Sequence, residues 1–408
     1  MSDFLRPASP VEPGQVARFE ARCLALWLAL VPAVVVGFAR FGYALILPAM
    51  RADLGWSLGH AGALNTANAL GYLLGALCAA PVMARLGAKR SLLCGLGGVV
   101  GTLAASGATD VYGLLLGTRA LVGFASALAF VAGAGLTARL SDDEGEAALL
   151  MGIYFGGPGL GVVVTGLSLP FFLGAKIGTH RWPMAWELLA ALGLMATFAV
   201  GVAIKGLPEV GVSAPQTATN PARSDQSVWR GLWSVLVAYF CFGLGYIAYM
   251  TFLVAYVRGL GADARTVAMV WTTLGAVMAA SGLLWRRPLA AWRSGAAMAL
   301  MLLGICVAAL LPMLSSGLAT LLLSAALFGW AAMPVVTAVT VAIRRRLPRA
   351  AWNAGIALAT VWFALGQSLG PLGAGALSDR FGLKASLIWT AGACLLGVAF
   401  ARRHFDPQ

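Results

Sequence analysis

Two arginines stand inside long apolar runs, Arg40 in the run 24–50 and Arg119 in the run 111–138. A guanidinium is always charged and grips carboxylate or phosphate oxygens through a rigid fork of donors. Runs of this length are what a helix needs to cross a bilayer. Within such a helix, an arginine near mid-depth costs about 2.5–3.5 kcal/mol on insertion scales, so it calls for a compensating role inside a bundle. Arg40 lies three residues past its run's midpoint near Gly37, roughly 4.5 Å along a helix. Arg119 lies five residues from its midpoint near Phe124. Each reads in two ways. It is a cation facing a central cavity and an anionic substrate group, or a structural arginine that caps carbonyls or pairs with a carboxylate between helices.

Other side chains with chemistry cluster less sharply. Asn65, Asn68 and Tyr72 recur at i, i+3 and i+7 and share one helical face, where two amides and a phenol need partners in protein or water. Tyr239, Phe242, Tyr246, Tyr249 and Tyr256 form an aromatic stripe at helical spacing. Such a stripe serves packing or an interfacial belt more often than binding, and only Tyr246 and Tyr249, nearest mid-span, are carried as substrate contacts. Tyr43, Trp330 and Gln367 complete the candidate set.

Carboxylates are scarce. Glu187, about four residues inside its run, is the candidate for proton coupling, alongside Arg119, and its alternative is a solvated interfacial glutamate. Asp53 and Asp110 sit at run boundaries, and His60, His180 and His404 lie at run ends or in the tail. An intramembrane enzyme would need a mid-span histidine or carboxylate pair, and none exists. The six cysteines form no C-x-x-C pair and read as small core residues, so neither a metal nor another cofactor is expected. No phosphate-binding G-x-x-x-x-G-K-[ST] loop occurs.

The elements that must position these residues follow from composition. Of 408 residues, 60% are hydrophobic and 11% charged, too few polar groups for a water-facing surface. The chain reads as an all-α membrane protein. Apolar runs at 24–50, 60–84, 91–109, 111–138, 147–170 and 183–204 precede a polar, proline-bearing stretch. Six more follow at 231–257, 266–285, 295–314, 318–343, 354–377 and 385–401, giving twelve expected transmembrane helices. The N-terminus, even-numbered loops and C-terminus hold nineteen Lys and Arg, and the opposite loops hold seven. By the positive-inside rule, both termini and the central linker are cytoplasmic. The net charge of +13 is therefore topology, and nucleic acid is not implied.

Gly157-Pro158 in the fifth run is answered by Gly370-Pro371 in the eleventh, and Tyr43 in the first by Tyr249 in the seventh, each about half a chain on. The expected organisation is a cytoplasmic tail (1–22), a six-helix half (23–204), a cytoplasmic linker (205–229), a second six-helix half (230–401) and a short cytoplasmic tail (402–408). Two such halves place a binding site between them near the midplane. The glycine–proline pairs are points where a helix can bend.

These stretches together resemble the major facilitator superfamily. Arg85-Leu-Gly-Ala-Lys-Arg90, after the second span, is similar to its basic, glycine-turned loop, although Ala84 stands where the superfamily pattern has Asp. Arg119-Ala-Leu-Val-Gly123 resembles its R-x-x-x-G segment, and Gly157-Pro158-Gly-Leu-Gly161 its antiporter glycine–proline motif. Gly37-Phe-Ala-Arg-Phe-Gly-Tyr43 through Leu47-Pro48, and Leu64-Asn-Thr-Ala-Asn68 to Gly71-Tyr72, resemble the YbfB/YjiJ-type branch. Ser378-Asp-Arg-Phe-Gly382 looks like the basic loop but falls outside by span count, and reads as chance or turn chemistry.

The resemblance implies secondary transport by alternating access in a bacterial inner membrane. Arg85, Gly87, Lys89, Arg90 and the two glycine–proline pairs would act in gating. The expected partners are a small organic solute, anionic or amphipathic, a coupling proton and the lipid bilayer, and the expected state is a monomer. A non-transporting membrane sensor is the rival reading.

Overall fold

The computed structural model describes residues 13–174, 181–207, 232–292, 294–348 and 351–403. The expected tails before residue 13 and after 403, His180, His404 and the linker from 208 to 229 lie outside the described residues. Eleven helices are long and apolar enough to cross a membrane. A twelfth long helix, Ala88–Gly107, follows the second; five glycines, with Lys89 and Arg90 in its first turn, dilute its apolar character. No strand occurs among the described residues.

The first helix differs from expectation at both its start and its middle. It begins at Pro13 and not near residue 23; proline suits the first turn, whose N–H would lack a partner anyway. Arg22, on this extension, pairs with Glu146 of the fifth helix at 2.7 Å. Beyond Pro32, which lacks the N–H that an α-ladder uses, the backbone winds as a π-helix over Ala33–Phe41. The Gly42 N–H then bonds to Gly37 O, five residues back, and the α-helix Gly42–Leu54 completes the rod. Single π-turns often mark functional sites, and this segment carries Arg40 in its last turn.

The remaining long helices are Leu58–Leu86, Ala88–Gly107, Tyr112–Thr137, Glu144–Leu173, Trp182–Ala203, Trp233–Gly259, Ala264–Leu284, Ser294–Leu314, Leu318–Arg346, Trp352–Phe381 and Lys384–Ala401, the second to twelfth in order. Their ends are set by local chemistry. Asp143 and Asp263 cap the fifth and eighth helices through the N–H groups of Glu146 and Thr266. Gly55 and Gly87 take φ values of 65° and 83° at the first two turns, where a Cβ would be strained.

Close backbone crossings hold the bundle, as expected where lipid supplies no hydrophobic drive between helices. The fifth helix crosses the first at Gly161 and Gly37, and the eighth at Gly159 beside Gly275. The eleventh helix repeats this pattern. It meets the seventh at Gly366 and Gly370, against the carbonyls of Phe240 and Leu244, and the second where Gly62 faces the Pro371 carbonyl. With helices one to six and seven to twelve taken as two sets, called the halves below, the fifth and eleventh helices each bind the opening helix of their own set and one helix of the other. The glycine–proline pairs sit at these crossings: Gly157 abuts Ala29 O and Pro32, while Gly370 abuts Leu244 O.

Candidate functional site

Arg40 points from the π-segment toward the other half and is buried. Its Nη2 donates to Oε1 of Gln367 on the eleventh helix. Its Cζ lies 5.8 Å from the centroid of the Tyr72 ring on the second helix. Asn65 makes a second bridge, with Nδ2 donating to Thr251 Oγ1 at 2.6 Å on the seventh helix. Thr66 makes a third, its hydroxyl donating to Ser368 O at 2.5 Å.

Arg119 is used differently. Its Nη1 donates to Ala39 O at 2.7 Å, on the π-segment, and its Nη2 to Asn65 Oδ1 at 3.4 Å. Its Cζ sits 4.9 Å from the Tyr43 ring and 5.5 Å from the Trp186 ring. Two aromatic faces and a backbone carbonyl offset the loss of water around a buried cation. Asn68 Nδ2 donates to Arg119 O at 3.3 Å, and Tyr43 donates to Ala61 O at 2.9 Å. Arg119, Tyr43 and Asn68 therefore form a layer behind Arg40. Among the described residues neither Arg40 nor Arg119 forms an ion pair, so neither central arginine is matched by an acid.

On the facing side the aromatic stripe becomes a stack. Tyr239 lies 4.5 Å from Phe363 with planes 8° apart, and Phe242 lies 4.9 Å from Tyr246 at 21°. Phe363 reaches Tyr246 at 5.9 Å, and Phe328 continues the stack to Tyr249 at 4.2 Å. Phe41, next to Arg40, meets Tyr246 edge-on at 6.3 Å. Phe41 thus brings the stack against the segment that carries Arg40.

Of the residues singled out in the sequence, Arg40, Asn65, Tyr72, Tyr246 and Gln367 come together. Tyr249 spends its hydroxyl on Ser324. Trp330 packs on Trp285 at 4.7 Å and against Gly304, within the second half. Glu187 lies on an exposed face of the sixth helix beside Gly107, away from Arg40. In the basic loop, Lys89 donates to the Leu207 carbonyl at the end of the sixth helix, while Arg85 and Arg90 are exposed. Thr251, Phe328, Phe363, Trp186 and Asp379 were not foreseen. Phe363 and Trp186 carried no signal beyond being apolar, and Thr251 is of a type common in spans.

Asp379, which the sequence offers only as chance or turn chemistry, joins the halves. Its carboxylate accepts the N–H groups of Leu58 at 2.7 Å and Gly59 at 2.8 Å, in the first turn of the second helix. At the same end Arg258 of the seventh helix donates to Gly174 O at 3.3 Å. The cross-half bonds named here run from the level of Arg40 to the end of the bundle opposite the termini, called the distal end below. That end is closed.

A bundle of many apolar helices enclosing a charged, cross-linked centre defines a multi-pass integral membrane protein. The family described as "Uncharacterised MFS-type transporter YbfB" matches residues 32–402, and the chain belongs to this family of membrane transporters. The multidrug efflux protein YfmO of Bacillus subtilis (strain 168) is 26% identical over 387 residues, covering 92% of this chain and 91% of that protein. The uncharacterized MFS-type transporter YceJ of the same organism is 26% identical over 234 residues; that match covers 56% of this chain and 57% of YceJ. Among solved structures, the nucleoside transporter NupG superposes with a TM-score of 0.67 at 13% identity, covering 95% of this chain and 98% of NupG. A bacterial homolog of the human lysosomal transporter Spinster gives 0.61 at 15%, covering 97% and 95%. Both share the fold.

Proposed function

We propose that the chain carries a small organic anion across the bacterial inner membrane by alternating access, with Arg40 as the anion grip. One observation carries this reading. A buried guanidinium at the meeting of the halves has a neutral amide, Gln367, as its hydrogen-bond partner and no acid to match its charge. In a low-dielectric cleft such a field favours an anion and penalises a cation. Asn65, Tyr72, Tyr246 and Gln367 line the grip, and Arg119 with Tyr43 and Asn68 supports it from behind.

The moving bodies are two six-helix halves, 23–204 and 230–401, in a twelve-span monomer. The charge asymmetry puts the termini in the cytoplasm, so distal closure corresponds to a form open inward. The glycine–proline crossings and the basic loop 85–90 are the parts that flex as the halves rock. The alignment with a protein named for multidrug efflux, over 92% of this chain, supports amphipathic solutes and export. Proton exchange supplies the energy, with Glu187 and Arg119 as the groups to test.

The test is flux of labelled organic anions in proteoliposomes. Saturable flux that is lost in Arg40→Gln supports the reading. Flux of cations alone, unchanged by that substitution, would overturn it.

A further inference from the structure

The eight tyrosines divide sharply by what their hydroxyls do. Tyr43, Tyr112, Tyr154, Tyr249 and Tyr256 each bond to a protein group. Tyr72, Tyr239 and Tyr246 do so with none of the described residues, although Tyr239 is 5% exposed and Tyr246 3%. The sealed polar atoms that lack partners are Arg119 Nε, Ser126 Oγ, Trp186 Nε1, Thr272 Oγ1 and Ser378 Oγ, and none of the three phenols is among them. Their hydroxyls therefore open onto space that water or a ligand can enter. These same three phenols are the ones gathered at the centre. Arg40 Cζ lies 5.8 Å from the Tyr72 ring, Tyr246 meets Phe41 beside Arg40 at 6.3 Å, and Tyr239 and Tyr246 share Phe363 as a stacking neighbour.

Buried hydroxyls are almost always hydrogen-bonded, because an unmatched one costs free energy. Two free O–H donors beside one guanidinium, with a third on the adjoining stack, make a site that offers donors and needs acceptors. The rings of Tyr239 and Tyr246 belong to the near-parallel stack with Phe242 and Phe363, whose neighbouring planes differ by 4° to 27°. Phe363 is only partly buried. Parallel faces accept another flat ring in offset stacking, whereas a puckered saturated ring meets them poorly. Charge limits the ligand further. Arg119 is sealed behind Arg40 at 1% exposure, bonded to Ala39 and Asn65, so one guanidinium is placed to touch a ligand, and a second carboxylate would find no arginine in contact.

We infer that the substrate is a planar aromatic monocarboxylate. Its carboxylate binds Arg40, its ring lies against Phe363, the partly exposed member of the stack, beside Tyr239 and Tyr246, and the phenols of Tyr72, Tyr239 and Tyr246 donate to its oxygens. This rests on the anion-carrier reading above and narrows it.

The test is calorimetric binding to the purified full-length protein, using benzoate and 2-naphthoate against cyclohexanecarboxylate, benzamide and phthalate. The aromatic monoacids should bind at least about fivefold tighter than the saturated acid, the amide or the diacid. Tyr246→Phe and Tyr239→Phe keep the rings and remove the donors. Each should weaken the aromatic acids about three- to tenfold without lowering the unfolding temperature. Phe363→Leu should erase the preference over cyclohexanecarboxylate. Equal binding of benzoate and cyclohexanecarboxylate, both lost in Arg40→Gln, would overturn the aromatic assignment and leave the anion reading standing. Binding of neither acid would overturn both.

Discussion

Asp379 caps a helix that belongs to the other half of the molecule. The first N–H groups of any helix lack internal acceptors, and in the second helix Leu58 and Gly59 find theirs in this one carboxylate. Both bonds exist only while the distal ends touch, so their free energy belongs to the closed state alone. Hydrogen bonds to charged groups contribute about 1.5–3 kcal/mol each. Asp379 is exposed, and solvent screening brings the pair down to about 1–2 kcal/mol, the range of an N-terminal cap. Asp379→Ala should then raise the open-to-closed ratio at the distal end roughly 5- to 30-fold, with Asp379→Asn between. Asp263→Ala is the control. That residue caps the eighth helix of its own half through Thr266, whose hydrogen bonds hold its carboxyl below the usual carboxylate range. The assay is pulsed dipolar spectroscopy in nanodiscs between spin labels at Ala108 and Ser316, with the six native cysteines replaced. Growth of a longer distance in Asp379→Ala but not Asp263→Ala is expected. An unchanged distribution, or the same change in both variants, would refute the reasoning.

Further outcomes follow from the crossings and the two arginines. A Cβ on Gly62 would lie 2.2 Å from Pro371 O across the halves, so Gly62→Ala should open the same spin-label distance while the protein still folds. A Cβ on Gly71 would lie 1.9 Å from Ala120 O within one half, so Gly71→Ala should lower the unfolding temperature, at a cost of about 1–3 kcal/mol. Arg119→Gln strips the donor from Ala39 O and the cation from Tyr43 and Trp186. It should reduce stability by about 2–4 kcal/mol in thermal unfolding, whereas Arg40→Gln should reduce ligand affinity first. A thiol placed at Ser224→Cys should be labelled by an impermeant reagent only after lysis; labelling of intact cells would reverse the orientation.

The burial of Arg40 inside the bundle was legible in the sequence, because a cation at mid-depth is costly wherever it sits and that argument needs no neighbours. The apolar runs gave the helices for the same reason. What pairwise contact decides was hidden. Arg40 and Arg119 looked alike as isolated residues. The difference between them arises because the π-segment frees Ala39 O for Arg119 and turns Arg40 toward Gln367, and nothing in Ala-Val-Val-Val-Gly-Phe-Ala-Arg-Phe but the preceding Pro32 announces that winding. Asp379 resembled a loop motif on the unexpected side, and its role depends on two residues some 320 positions away. The aromatic stripe on the seventh helix was visible, yet its stacking with Phe363 and Phe328 came from two other helices.

Gln367 has a consequence for how an empty carrier behaves. With no ligand aboard, Arg40 still has an oxygen to hold, supplied by the opposite half. On the proposal that Arg40 grips the substrate, the amide would stand in for cargo, and the unloaded protein would complete the closing stroke without stranding a bare charge. On that proposal a ligand would have to displace that oxygen, and its binding would be an exchange of one acceptor for another, weaker by the strength of the bond it breaks. A carrier with this arrangement can return empty. Its net flux into ligand-free vesicles should rival its rate of counterflow, and replacing Gln367 with a residue that offers no oxygen should convert it toward an obligatory exchanger.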